Sequence, residues 1–516
     1  MVKRTFVLTG KDLKIAEIYS LVNDPSINVE VSPEALENIK KSNLFIEKRK
    51  KDGVVYGLNT GFGPMASYLV SDTEIINLQY NLVRSHAVGM GEPISETYSL
   101  AAMLVRLNTL IKGYSGVSID LINKLLCFIN KRIVPVIYEH GAVGTSGDLV
   151  QLAHIALALI GEGEVFYEGV RQSTSVVISK LGIEPHQLRI KEGLALINGT
   201  SVMSAIAAIL CVNATSVLNT ETKLGALSLE LVRAFKDSLD EKLHQLRPHP
   251  GQVYVAERLR TILDSSKLMR DREMFTPERD QTNSVNKISE MVQEVYSIRC
   301  LAQILGPVYE SIEKAREIIE VEINSATDNP IVDWEQERFL HGGNFHGDYV
   351  AYAVDQLKMT MVKLSILSER RINFFLNTNV NKSFPPFLNL KQPGLTLALQ
   401  GLQFVATSTT AQNQTLAFPQ YVHSISTNGD NQDVVSMGTD AALLCAKVIE
   451  NNYIVQAIEL VTLSQCVDFL RCSDQLSNST KEMFAGIRKI FPEVMDDRVI
   501  IDDLKNAVGF LKSKSH

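Results

Sequence analysis

The chain has 516 residues, of which 45% are hydrophobic and 21% charged, enough to bury a large core in two domains or one large helical unit and too apolar for a disordered chain. A net charge of −7 argues against nucleic acid or an anionic membrane as the main partner. Six cysteines (127, 211, 300, 445, 466 and 472) show no metal-type pairing, which fits reduced thiols in a cytoplasm. The first twelve residues lack the apolar run of a secretory signal, and the longest apolar stretches are interrupted by Asn, Gln, Lys or Glu, so no span of a bilayer is expected.

In chain order, Val29-Glu30-Val31-Ser32-Pro33 predicts a strand running into a helix, with Ser32 as cap and Pro33 in the first turn. That helix ends in Lys48-Arg49-Lys50-Lys51, a solvated basic end. Val54 to Pro64 carries Gly57, Gly61 and Gly63 and reads as a mobile loop with Tyr56 at its start. Ser71-Asp72-Thr73-Glu74 has the form of a capping box ahead of a helix that ends near Gly89, with Ser85-His86 in its last turns. Amphipathic helices are expected over about 96–112 and 118–131.

Gly141-Ala142-Val143-Gly144-Thr145-Ser146-Gly147-Asp148 follows, then the apolar run Leu149 to Leu157, with Asp148 placed as an N-cap. On spacing alone this is a Gly-rich lead into a helix or a loop whose N–H groups hold an anion; the Gly-Lys-Ser/Thr ending of a P-loop is missing. The residue types also allow a backbone cyclisation. In a tight turn the Gly147 nitrogen attacks the Thr145 carbonyl, one water leaves, and loss of a second water from Ser146 leaves an exocyclic methylidene.

Gly163 to Val170 predicts a hairpin, and Leu196-Ile197-Asn198-Gly199-Thr200 a turn before a helix of small residues from Ala205 to Leu227. Residues 236–284 are polar and read as a long connection or lid, which puts a composition boundary near 235. From about 285 the apolar residues Ile288, Met291, Val292, Val295, Ile298, Leu301 and Leu305 step by three and four, predicting one long helix. Tyr296 and Arg299 share a face of it, and Arg suits a carboxylate. Gln303 lies one turn on. Asn324 to Pro330 reads as a helix stop, and His341 to Asp348 as the start of another helix. His341, His346 and Asp348 lack the helical His-x-x-x-His pairing of a metal site, and none is expected. Further helices are expected over 349–376, about 396–414, 439–471 and 478–513.

Six of these stretches, in order, resemble the histidine/phenylalanine/tyrosine ammonia-lyase family: the Tyr56 loop, Ser85-His86, Thr145-Ser146-Gly147, Leu196 to Thr200, Tyr296-Ser297-Ile298-Arg299-Cys300, and Gly342 to His346, with Gln412 and the Asn431-Gln432-Asp433 stretch beyond them. The closest resemblance is to bacterial tyrosine ammonia-lyases. The resemblance implies a mainly α fold of the fumarase/aspartase-like type, with an N-terminal domain over 1–235 and a long helical bundle over 236–516. It implies methylidene-imidazolone (MIO) made from Thr145-Ser146-Gly147, with Thr145 departing from the family's Ala. Tyr56 is then the base on a lid, its phenol acting below its usual value of about 10 with help from helix N-termini. Asn198 and Tyr296 orient the amine, and Arg299 holds the substrate carboxylate. Ser85, His86, Phe345, Gln412 and Gln432 face the substrate or cofactor, and Asn344 stands behind them.

The reaction implied is non-oxidative loss of ammonia from an L-aromatic amino acid in a cytoplasmic homotetramer with shared active sites. Ser85-His86 resembles histidine lyases, but some bacterial tyrosine lyases carry the same pair. Gln412 stands where histidine lyases have Glu, so L-tyrosine giving para-coumarate is the expected reaction. L-histidine giving urocanate is the alternative. Phenylalanine lyase, a 2,3-aminomutase and an inactive helical scaffold complete the readings.

Overall fold

The structure, a computed structural model, describes residues 4–49, 53–277, 282, 284–288 and 291–513. Among these residues it is mainly helical, with four small sheets. The chain forms two compact units. The first comprises 1–212, 314–356 and 419–445, the second 213–313, 357–418 and 446–516. This partition differs from the composition boundary near 235, because residues 314–356 and 419–445 pack with the first 212.

In the first unit, Arg4–Leu8 pairs in parallel with Ile27–Val31, and Pro33–Arg49 follows as a helix whose Ala35 N–H is capped by Ser32 Oγ at 3.2 Å. Lys50 and Lys51 lie outside the described residues. Glu96–Leu110 is the central helix: every residue from Ser99 to Leu110 is buried, Arg106 included. Ser95 and Ser118 cap this helix and Ile119–Asn130 through their side chains, as their residue types favour. The hairpin of Glu164–Tyr167 with Val170–Ser173 is present. The Ser71–Glu74 stretch forms a turn and not a capping box. Ser71 bonds Thr73 Oγ1 at 3.0 Å, and the helix starts at Ile75 without a side-chain cap.

In the second unit the stretch read as a connection contains the helices Glu241–Gln245 and Pro250–Leu263. Val255, Ala256 and Leu259 are buried on the latter, a face too sparse for composition to reveal. Gly251 packs against Gly306, where an added Cβ would lie 2.2 Å from the Gly306 carbonyl oxygen. The helix expected from 285 begins only at Tyr296–Arg299 and continues as Leu301–Glu322. Ile288 and Val292 are 39% and 38% exposed, so the stepping pattern there has no core to face. The C-terminal 478–513 is two helices, Asn478–Arg488 and Ile501–Ser513. Arg371 is fully buried between Glu221 and Glu459, and Glu221 also accepts from Ser368 and Gln456 at 2.8 Å each.

Two helices, Ser201–Leu231 and Gly438–Leu470, are long and apolar enough to cross a membrane, which the sequence reading did not anticipate. Their apolar windows are 83% and 78% buried, so both are core helices.

Candidate active site

The Gly-rich loop is a tight turn. Gly144 pairs across to Gly147, and Gly147 to Gly199. Gly144 and Gly147 have φ of 87° and 80°, and Ser146 between them takes φ 49°, a strained value for a residue with a Cβ. Gly199 N–H donates to Ser146 O at 3.0 Å, Asp148 N–H to Gly199 O at 2.8 Å, and Met437 N–H to Val143 O at 3.2 Å. Any Cβ on Gly147 would meet the Gly199 carbonyl oxygen at 2.1 Å. The loop is therefore clamped on both sides, with Ser146 at its apex.

Asp148 precedes its helix but does not cap it. Its carboxylate accepts instead from Val202 and Met203 N–H at 2.8 and 3.0 Å, capping the Ser201–Leu231 helix, and from Thr439 Oγ1 at 2.6 Å. Complete burial pushes its pKa up to about 6 against these hydrogen bonds. Beneath the same loop lies a buried charge cluster that sequence reasoning missed. Lys191 Nζ and Asp328 Oδ2 are 2.6 Å apart, both without exposure, and Asp328 Oδ1 accepts Asn329 N–H at 2.7 Å. Arg106 donates to Ala195 O, and burial lowers its pKa to about 10. The sequence signal was an Arg inside the apolar run Leu100–Leu110.

A cavity of about 790 Å³ in the first unit opens over the loop. Its walls bring together most of the residues singled out from the sequence: Tyr56, Ser85, His86, Thr145, Ser146, Asn198, Phe345 and Gln432. Asn329 and Asn428 also line it and had been passed over, Asn329 because Asp328-Asn329-Pro330 reads locally as a helix stop. Tyr56 Oη accepts Gly63 N–H at 3.1 Å, which fixes the phenol from its own loop. Gln79 ties that loop down, accepting Leu194 N–H at 3.1 Å and donating to Gly57 O at 3.4 Å. Asn198 is buried with its Oδ1 unpartnered, an acceptor left free at the cavity wall. His86 Nδ1 lies 2.9 Å from Leu82 O. A carbonyl only accepts, so Nδ1 is the donor in this contact and Nε2 is the ring nitrogen on the other side.

Tyr296, Arg299 and Gln412 belong to the second unit and are not among the cavity's lining residues. Tyr296 is 72% exposed, and the Arg299 guanidinium lies 5.3 Å from its ring centre, with Nε donating to Glu294 O at 3.2 Å. Gln412 accepts from Asn451 at 2.8 Å, and Gln303 keeps a buried, unpartnered Oε1. Asn344 donates to Ala326 O at 3.3 Å and lines a neighbouring cavity with His346, whose Nε2 pairs with Asp348 at 3.1 Å. Among the described residues no group of three or more His, Cys, Asp or Glu is arranged to hold a metal.

The chain is mainly helical and sets a strained Gly-Thr-Ser-Gly turn at the wall of a cavity that also holds a phenol, and its fold is of the fumarase/aspartase-like type. Residues 13–489 match the aromatic amino acid lyase family. The histidine ammonia-lyase of Bacillus subtilis (strain 168) is 38% identical over 509 residues, covering 98% of this chain and 96% of its own. The solved structure of tyrosine aminomutase from Streptomyces globisporus matches with a TM-score of 0.93 at 33% identity, covering 99% of this chain and 98% of that one. Histidine ammonia-lyase from Trypanosoma cruzi matches at 0.88 and 34% identity, covering 99% and 94%. The chain belongs to the aromatic amino acid ammonia-lyase family and is a carbon–nitrogen lyase acting on aromatic amino acids.

Proposed function

We propose that the protein eliminates ammonia from L-histidine to give urocanate, in place of the tyrosine reaction expected from the sequence. The observation that carries this reading is His86 in the cavity wall with its proton on Nδ1, leaving Nε2 to accept the N–H of a substrate imidazole. The full-length likeness to histidine ammonia-lyases supports it.

The Thr145-Ser146-Gly147 turn fits a condensed ring. Ser146 is already held in a left-handed turn, Gly147 has no room for a Cβ, and the unpartnered Asn198 Oδ1 lies at the same wall. Condensation of these three residues would supply MIO, an electrophile that no ordinary side chain provides. Asn198 Oδ1 accepts from the substrate ammonium and holds the amine. Tyr56, deprotonated, takes the β-proton at its phenol oxygen, with Gly63 N–H keeping that oxygen in place. That proton is intrinsically non-acidic, so the groups must be preorganised in a site that excludes water. Arg299 binds the substrate carboxylate and Tyr296 lies beside the amine, both supplied within a homotetramer with shared sites. The exposed Tyr296 ring fits that assembly, and six cysteines with no disulfide among the described residues fit a cytoplasmic protein.

L-Tyrosine is the second reading. Gln412, where histidine lyases carry Glu, favours it, because a neutral amide grips imidazole less well than a carboxylate. Ultraviolet spectra with L-histidine and with L-tyrosine, joined to intact mass, decide between the two. Urocanate absorbance and a mass short by two waters are expected. Coumarate in place of urocanate would overturn the histidine assignment, and β-tyrosine, separated from L-tyrosine by chromatography because the two share one chromophore, would make the protein an aminomutase. Ser146→Ala is expected to keep the fold and lose turnover.

A further inference from the structure

Thr145 is the one residue of the reactive turn whose side chain is polar and takes no part in the condensation. It is half-buried at the cavity wall, and among the described residues its hydroxyl has no hydrogen-bond partner. The backbone around it is fixed. Val143 O is held by Met437 N–H and Ser146 O by Gly199 N–H, while Gly144 is packed so closely that a Cβ there would lie 2.3 Å from Ser436 Oγ. A β-branched residue on a clamped backbone has few rotamers, so its hydroxyl has few directions to point.

We infer that the Thr145 hydroxyl donates a hydrogen bond to the former Ser146 backbone nitrogen once the turn has condensed, and thereby makes the cofactor a stronger electrophile. The inference rests on the MIO reading above and follows from covalent connectivity. Thr145 Oγ and Ser146 N are joined through Cβ, Cα and the Thr145 carbonyl carbon. In the open chain Ser146 N is an amide donor and offers nothing to a hydroxyl. When Gly147 N bonds to the Thr145 carbonyl carbon and its oxygen leaves as water, Ser146 N gives up its hydrogen. It then forms the C=N bond and becomes an acceptor. An O–H···N contact from Thr145 then closes an unstrained six-membered ring. That nitrogen is conjugated with the methylidene carbon, so a donor on it draws electron density from the carbon the substrate amine must attack. Alanine in the same place has no such donor.

The test compares Thr145→Ser, which keeps the hydroxyl, with Thr145→Ala and Thr145→Val, which lack it. Three readouts are taken on each purified protein: intact mass, near-ultraviolet absorbance of the chromophore, and kcat with KM. All four proteins are expected to be short by two waters. The wild type and Thr145→Ser are expected to absorb alike. The two variants without a hydroxyl shift together to shorter wavelength, and their kcat falls up to about tenfold at unchanged KM. Should valine block cyclisation, the serine and alanine variants carry the same comparison. A full unprocessed mass in the wild type would overturn the MIO reading itself. Normal masses with identical spectra across the series, or an effect confined to KM, would overturn the role of Thr145 and leave the MIO reading intact.

Discussion

Replacing Asp148 separates its charge from its hydrogen bonds. Its carboxylate is fully buried, with a pKa raised from 3.8 to about 6, so the folded protein binds this proton more tightly than the unfolded chain does. The folded state therefore holds more protons between those two values, and stability falls as pH rises through that window. The full difference costs about 3 kcal/mol once the group is ionised. About half of that cost is present at pH 5 and nearly all of it at pH 8. In Asp148→Asn the amide oxygen can accept from Val202 and Met203 N–H while its nitrogen donates to Thr439 Oγ1, so the contacts survive and the buried charge goes. The variant is expected to unfold at higher urea than the wild type, with an advantage that grows from about 1.5 to about 3 kcal/mol between pH 5 and pH 8. Asp148→Ala loses the charge and also strands two buried N–H groups at about 1–3 kcal/mol each, which offsets or outweighs the relief. Urea midpoints of all three proteins at the two pH values provide the assay. An Asn variant as unstable as the Ala variant, or an advantage that does not grow with pH, would refute the reasoning.

Lys191→Met leaves the Asp328 carboxylate buried without its nearest cation and is expected to cost about 3–5 kcal/mol; Lys191→Met with Asp328→Asn should recover more than half, read from thermal unfolding. Gly199→Ala places a Cβ 2.3 Å from Thr327 O at φ 136° and should abolish soluble expression, whereas Gly169→Ala, with nothing within 4 Å, should cost only about 1 kcal/mol of backbone strain at φ 74°. Tyr56→Phe removes the proposed base and the acceptor of Gly63 N–H, and kcat should drop by about 10²–10⁴ with the chromophore intact.

Features set by near neighbours were legible in the sequence. Ser32 before Pro33 and the Gly-Thr-Ser-Gly turn take their shape from residues within a few positions. Asp148 shows where that legibility ends. Its position marks an N-cap, but its carboxylate serves a helix more than fifty residues away and a threonine nearly three hundred away. The stepping pattern from Ile288 failed for the opposite reason, since a correct period with no core to face makes no helix. The substrate was the least legible feature. Ser85-His86 and Gln412 argue for different rings, and only the Nδ1 contact with Leu82 O shows which end of His86 is free.

The buried charges around the reactive turn follow from what the turn must be. Beside the reactive turn, the first N–H groups of the Ser201–Leu231 helix, the last carbonyls of the Glu192–Ile197 helix and the irregular stretch at Asn329 lack the partners that a helix interior or a sheet supplies. Charged side chains supply them. Asp148 takes the N–H groups of Val202 and Met203, Asp328 that of Asn329, and Arg106 the carbonyl of Ala195. Above about pH 6, where Asp148 is ionised, Lys191 and Arg106 set two positive charges against Asp148 and Asp328. An apolar replacement would avoid the desolvation cost of four buried ions, and for many ion pairs that exchange is neutral or favourable. Beneath this turn it would strand the helix-end groups on either side of Gly199, whose N–H holds Ser146 O. The instability predicted for Lys191→Met, and the deficit predicted for Asp148→Ala beside Asp148→Asn, are in that sense costs of keeping a strained, reactive turn fixed in place.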